Sequence, residues 1–180
     1  MEEHSCGFQY RAEAPYPEIR VEGRNRRYGE MMLYNLGGGT SEMSAVALYF
    51  YDYLMTADLP EVSEVFRQIA MVEMHHLELF GQLARQLGMD PRLWSRQGGR
   101  MTWWSSGYLS YAPKLGPLLR IALREEQSTV QRYERQCRQI QDAGVTDCLQ
   151  RILLDERLHV DIFRSLCETY AAPPRPLSGA

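Results

Sequence analysis

The hydrophobic positions of this chain fall into long seams of alternating four- and three-residue steps. One seam runs Val62, Phe66, Ile69, Glu73, His76, Phe80, Leu83, Leu87. Another runs Val145, Leu149, Ile152, Glu156, His159, Phe163, Leu166, Tyr170. Such a walk is the buried face of a helix packed in a bundle. Two further seams are Leu115, Leu119, Ala122, Glu126, Thr129, Tyr133, Gln136, Ile140 and Met31, Asn35, Gly38, Glu42, Ala45, Tyr49, Asp52. The pattern predicts an all-α protein, an antiparallel four-helix bundle with a long crossover between its second and third helices.

Glycines and prolines punctuate that pattern. The second helix is expected from about Pro60 to Gly88, and the third from about Pro113 to Ala143, ended by Gly144. The fourth is expected from about Val145 to Tyr170, before Pro173 and Pro174. The first should begin near Met31 or earlier, which places Gly37, Gly38 and Gly39 inside it. Three interior glycines cost roughly 3 kcal/mol of helix propensity. Either the helix is distorted there or another element packs closely against it; the alternative is two pieces, 26–36 and 40–57. Residues 1–24 read as an extended arm over the bundle surface, 25–171 as the bundle and 172–180 as a flexible tail. The crossover, 89–113, holds Trp94, Trp103, Trp104, Tyr108 and Tyr111. It reads as a link packed down by its aromatics, or as a lid or subunit interface anchored by Trp103 and Trp104.

The seams also repeat. Six of the eight positions in the first two carry the same residue type at an offset of 83, and Glu42 and Tyr49 match Glu126 and Tyr133 at an offset of 84. The chain therefore reads as two copies of a helix pair, each with one Glu, one seam Tyr and one Glu-x-x-His.

That motif alone is weak. With 16 Glu and 4 His in the chain, roughly 0.4 copies are expected by chance. Its position on apolar seams changes the picture. A lone buried carboxylate costs many kcal/mol and would take up a proton. Four carboxylates at one level of one core cannot all ionise without cations, and two divalent metals balance them. His at i+3 from Glu shares its helix face, so both can reach one metal pair. Glu42, Glu73, His76, Glu126, Glu156 and His159 are therefore the candidate metal ligands. The competing reading is a metal-free polar core network of Glu, His and Tyr.

Composition adds mainly exclusions. The net charge of −3 and pI near 5.8 suggest no basic face for nucleic acid. No apolar run approaches the ~20 residues of a membrane span, and the first residues do not read as a signal peptide. Cys6, Cys137, Cys148 and Cys167 form no Cys-x-x-Cys pair. Scattered thiols suit a reducing cytoplasm, the expected location.

On Glu42, Glu73-x-x-His76, Glu126 and Glu156-x-x-His159, the chain over about residues 26–171 resembles the ferritin-like superfamily, in its rubrerythrin, bacterioferritin and manganese-catalase neighbourhood. The resemblance implies that Glu42 and His76 hold one metal and Glu126 and His159 the other, with Glu73 and Glu156 bridging. It implies a di-iron or di-manganese oxidoreductase acting on hydrogen peroxide or dioxygen; the alternative is non-catalytic iron storage or metal buffering. Thr129 stands where rubrerythrins carry an extra carboxylate. The four-cysteine electron-transfer domain is not read here, so a peroxidase would need an external electron donor. The fifth helix of ferritins is not read either. Met74 occupies the position of the haem-ligating Met of bacterioferritins, but haem is not expected, because helical Met usually serves packing. Zinc is conceivable only as an adventitious substitute. A small-molecule oxidant and a homo-oligomer, with a dimer favoured, complete the expected partners. His75 and Glu125, each one step off a seam, are expected outside the site. Tyr49 and Tyr133 could bond the carboxylates or simply fill the core.

Overall fold

The computed structural model describes residues 7–171, apart from the side chain of Gln97. The expected flexible tail and Cys6 lie outside the described residues. Five helices follow one another: α1 (Arg26–Gly37), α2 (Glu42–Met55), α3 (Pro60–Gln86), α4 (Leu115–Gln139) and α5 (Ala143–Tyr170). α1 and α2 together form the first arm of the bundle, so the two-piece alternative is the one adopted. α2 packs along α3 and α4 along α5, while α1 lies against the C-terminal half of α3.

The glycines between α1 and α2 explain the break. Gly38 is extended and its amide closes onto the carbonyl of Tyr34, which ends α1. A Cβ on Gly37 would stand 3.0–3.1 Å from the backbone of Leu93 and Trp94. Both readings of the glycines therefore hold: the helix breaks, and another element packs closely on it. Ser41 then caps α2 by accepting from the Ser44 amide.

The element packed there is a β-hairpin that the hydrophobic pattern did not predict. β1 (Trp94–Gln97) pairs antiparallel with β2 (Arg100–Trp103). Gly98 and Gly99 both adopt positive φ, the requirement of a tight two-residue turn. The crossover aromatics divide. Trp94 is buried and donates to the Asp90 carbonyl at 3.0 Å. Trp104 donates to the Ser44 hydroxyl at 3.0 Å and ties the crossover to α2. Trp103 is exposed beneath the Arg92 guanidinium.

Two apolar clusters fill the bundle. Leu33, Leu36, Phe80, Leu83, Leu149 and Ile152 belong to one, and Leu48, Phe66, Ile69, Leu119, Phe163 and Leu166 to the other. In α3 the clusters stop on either side of Glu73 and His76, and in α5 on either side of Glu156 and His159. A polar layer thus cuts the core in two. Asn35 and Gln136 add a reciprocal amide pair at 2.7 and 2.9 Å, which joins α1 to α4 inside the apolar region.

The α4–α5 connection departs from expectation. α4 ends at Gln139, and Asp142 caps α5 by accepting from the Val145 amide at 3.1 Å. Gly144 is therefore inside the first turn of α5 instead of stopping the third helix. Its role is close approach: a Cβ there would meet the Arg20 carbonyl oxygen at 2.1 Å. Gly144→Ala must push the N-terminal segment away. Overpacking of this kind costs about 1–3 kcal/mol, measurable as a lowered urea midpoint; an unchanged midpoint would show that the segment yields freely.

Asp52 gives a second test. It is buried on α2, and burial pushes its carboxyl up from 3.8 to about 8. Between those values the unfolded chain ionises Asp52 while the folded one keeps it protonated. Stability is therefore lost as pH rises from about 4 to about 8. Asp52→Asn should be more stable than the parent at pH 8, with the gap closing towards pH 4 in thermal denaturation.

Candidate metal centre

Six buried side chains from four helices meet in the polar layer. Glu42 is the first residue of α2, where the helix dipole favours a carboxylate. Glu73 and His76 project from the middle of α3, Glu126 from α4, and Glu156 and His159 from α5. All six are at most 3 % exposed. The structure brings together every residue that the seams singled out.

Their ligating atoms form two overlapping tetrads. Atoms of Glu42, Glu73, His76 and Glu156 lie within 4.8 Å of one another, and so do atoms of Glu73, Glu126, Glu156 and His159. Glu73 and Glu156 are common to both. His76 Nδ1 stands 3.0 Å from Glu73 and 3.1 Å from Glu156. His159 Nδ1 stands 2.8 Å from Glu73 and 3.9 Å from Glu126. Both imidazoles therefore turn Nδ1 towards the carboxylates.

Tyrosines and the chain's outer segments hold this arrangement. The Tyr49 hydroxyl of α2 donates to Glu126 of α4, and the Tyr133 hydroxyl of α4 donates to Glu42 of α2. The two seam tyrosines thus bond the carboxylates, each across to the other repeat. Behind His76, Nε2 donates to Asp155 at 3.1 Å. Asp155 also accepts from the Tyr16 hydroxyl at 2.5 Å, the Ala12 amide at 2.7 Å and Arg151 at 2.8 Å. Behind His159, Nε2 donates to the Tyr10 carbonyl at 3.0 Å. Sequence reasoning missed Asp155, Arg151 and Tyr16. Asp155 adjoins Glu156 but lies off the seam, and Tyr16 belongs to a segment without periodicity.

Protons and imidazolium charge together offset the crowding of the carboxylates. Burial pushes Glu42 and Glu126 well above the usual carboxylate range, helped by the charge of Glu73. Burial also opposes ionisation of Glu73, but His159 and His76 beside it outweigh that and hold its carboxyl low. Burial works to lower His76 and His159, yet their carboxylate neighbours, Glu73 first, raise both. Asp155 resists burial through its hydrogen bonds from His76 and Tyr16 and is held at about 2.

The residues fit a pair of metal ions. Among the described residues, Glu73 Oε1, both oxygens of Glu156 and His159 Nδ1 are buried without a hydrogen-bond partner. Buried polar atoms are ordinarily satisfied, and these converge on one space. His159 Nδ1 approaches Glu73 closely but without the alignment of a hydrogen bond. Oxygen-rich tetrads with one imidazole each suit manganese or iron.

A cavity of about 40 Å³ reaches this space between α2 and α4. Its walls include Ala45, Leu48 and Thr129, the crossover residues Tyr108 to Ser110 cover it, and Glu125 stands alongside. That space is enough for a few water molecules. Glu125 is half-buried beside the cavity, outside both tetrads, while His75 pairs outward with Glu78 and meets the Tyr16 ring edge-to-face. Met74 is exposed, turned away from the core. Among the described residues, no helix is long and apolar enough to cross a membrane.

Comparisons with known proteins agree with this geometry. The structure superimposes on KatB, a manganese catalase from Anabaena PCC7120, with a TM-score of 0.80. The match has 22% identity and covers 94% of this chain and 84% of that one. The fold is thus the ferritin-like helical bundle. A probable manganese catalase of Clostridium acetobutylicum is 24% identical over 168 residues, covering 82% of this chain and 73% of its own length. The family model described as Rubrerythrin matches residues 39–167. That span includes all six convergent side chains, and the chain belongs to the rubrerythrin family.

Proposed function

We propose that this protein is a di-metal oxidoreductase that consumes hydrogen peroxide, with catalase action at a di-manganese centre as its best-supported form. The observation that carries the reading is the pair of tetrads sharing Glu73 and Glu156, with unpartnered buried atoms aimed between them. Glu42 and His76 would hold one ion, Glu126 and His159 the other, and Glu73 and Glu156 both. Two bound metals would exchange two electrons with peroxide, so that two molecules of hydrogen peroxide yield two of water and one of dioxygen. That overall reaction needs no separate reductant. The likeness to two manganese catalases supports it. So does Thr129, whose neutral side chain leaves the set at four carboxylates, balanced by two divalent ions.

The chain's own residues would do the rest. Tyr49 and Tyr133 orient the outer carboxylates and hold them against swinging away. The cavity between α2 and α4 is large enough to admit hydrogen peroxide. The near-complete burial of all six side chains keeps the carboxylates out of bulk water, which strengthens each electrostatic contact within.

Protein from manganese-supplemented cells, purified without chelators, should hold about two Mn per chain and evolve dioxygen from hydrogen peroxide at an oxygen electrode. Glu73→Gln, which removes a charge shared by both tetrads, should reduce metal content and activity together. Full metal loading with no peroxide consumption would sink the catalase reading. Rapid oxidation of ferrous iron, with many iron atoms retained per chain, would favour storage instead.

Proton release provides an independent check. The raised Glu42, Glu126, His76 and His159 keep protons to higher pH in the metal-free protein. Metal binding must expel those protons, so affinity should rise with pH and weaken in acid. Calorimetry of Mn(II) binding in two buffers of different ionisation enthalpy should show net proton release; equal heats would contradict this protonation pattern.

A further inference from the structure

The segment Tyr10–Tyr16 lies far from the bundle seams in sequence, yet it reaches the outer side of both histidines. Tyr10 supplies the carbonyl that receives His159 Nε2. Ala12 and Tyr16 supply two of the donors that hold Asp155, which receives His76 Nε2. Arg151, 5 % exposed, fastens the segment to α5. Its Nε donates to the Ala14 carbonyl at 2.5 Å, its Nη2 to the Ala12 carbonyl at 2.8 Å, and its guanidinium lies 4.0 Å over the Tyr16 ring.

Resting on the di-metal reading above, we propose that Tyr10–Tyr16 is a clamp that fixes the orientation and tautomer of both metal-binding histidines. The physical basis is complementarity. The Tyr10 carbonyl can only accept, and the Asp155 carboxylate, already receiving three other donors, also accepts. Each imidazole therefore keeps its proton on Nε2, and the nitrogen that would give up a proton to offer a lone pair to an ion is Nδ1, which faces Glu73. Nδ1 is the nitrogen that faces the carboxylates in both cases. Partners of this kind behind a ligating histidine commonly change metal affinity 10–100-fold. One strap of seven residues thus serves both halves of the site, and Asp155, Arg151 and Tyr16 act as positioning residues.

The test uses the full chain in three variants: Tyr16→Phe, which removes a single hydroxyl; Ala12→Pro, which removes the amide donor to Asp155; and Arg151→Met, which unfastens the segment. Two readouts apply to each, the dissociation constant for Mn(II) and the nitrogen-15 NMR pattern of the histidines with Zn(II) as a diamagnetic probe. Wild type should bind two ions through Nδ1, with protons on Nε2 of His76 and His159. The variants should bind more weakly, by about 10–100-fold for Arg151→Met and less for Tyr16→Phe, with a disturbed Nε2–H pattern at His76. Wild-type affinity and an unaltered pattern in folded Tyr16→Phe and Ala12→Pro would overturn the clamp while leaving the metal site standing, whether or not Arg151→Met folds. A wild type that binds neither ion through these histidines would overturn both the clamp and the reading beneath it.

Discussion

Four carboxylates confined to one layer of a helical core constrain everything around them. Ionised together without cations they would repel one another in a medium that screens poorly. The histidines offset part of that charge, and raised affinity for protons at Glu42 and Glu126 offsets more. Two divalent ions balance all four. The packing follows from the same layer. Apolar residues fill the bundle above and below it, and in α3 and α5 the change from one cluster to the other occurs at the Glu-x-x-His step.

The interrupted first arm shows how local backbone and site are linked. Had α1 continued through Gly37–Gly39, Glu42 would sit mid-helix, and the Leu93–Trp94 backbone would have a less specific place to rest. The break instead makes Glu42 the opening residue of α2, where unpaired backbone amides favour negative charge. It also lets Ser44 receive the Trp104 indole, which ties the crossover beside the cavity that leads to Glu42. The glycines therefore serve position as well as flexibility.

The long helices and all six convergent residues were legible because both rest on periodicity, and a buried helix face imposes periodicity over many turns. What escaped was held by contacts without a period. The hairpin has short strands, and its clearest sign is the pair Gly98-Gly99, easily lost in an aromatic stretch. Gly144 read as a helix stop because sequence does not reveal that the Arg20 carbonyl presses against it. The roles of Tyr49 and Tyr133 could not be decided along one helix. Each lies about 10.5 Å along the axis from the glutamate of its own helix, and the bond runs to the glutamate of the opposite repeat.

The duplication also explains why the N-terminal segment matters. At the offset that superimposes Glu73 on Glu156, Asp155 corresponds to Val72. The two copies thus differ at the position behind the histidine: one carries the carboxylate that supports His76, and the other has no side chain that could support His159 in the same way. The Tyr10 carbonyl takes that place from outside the repeat. A neutral carbonyl behind one imidazole and a carboxylate behind the other leave the two histidines unequal, His76 facing the stronger negative charge. An exact repeat of a helix pair would give a symmetric cage. This chain departs from that symmetry in the groups behind its histidines, and the segment before the first helix completes what the repeat lacks.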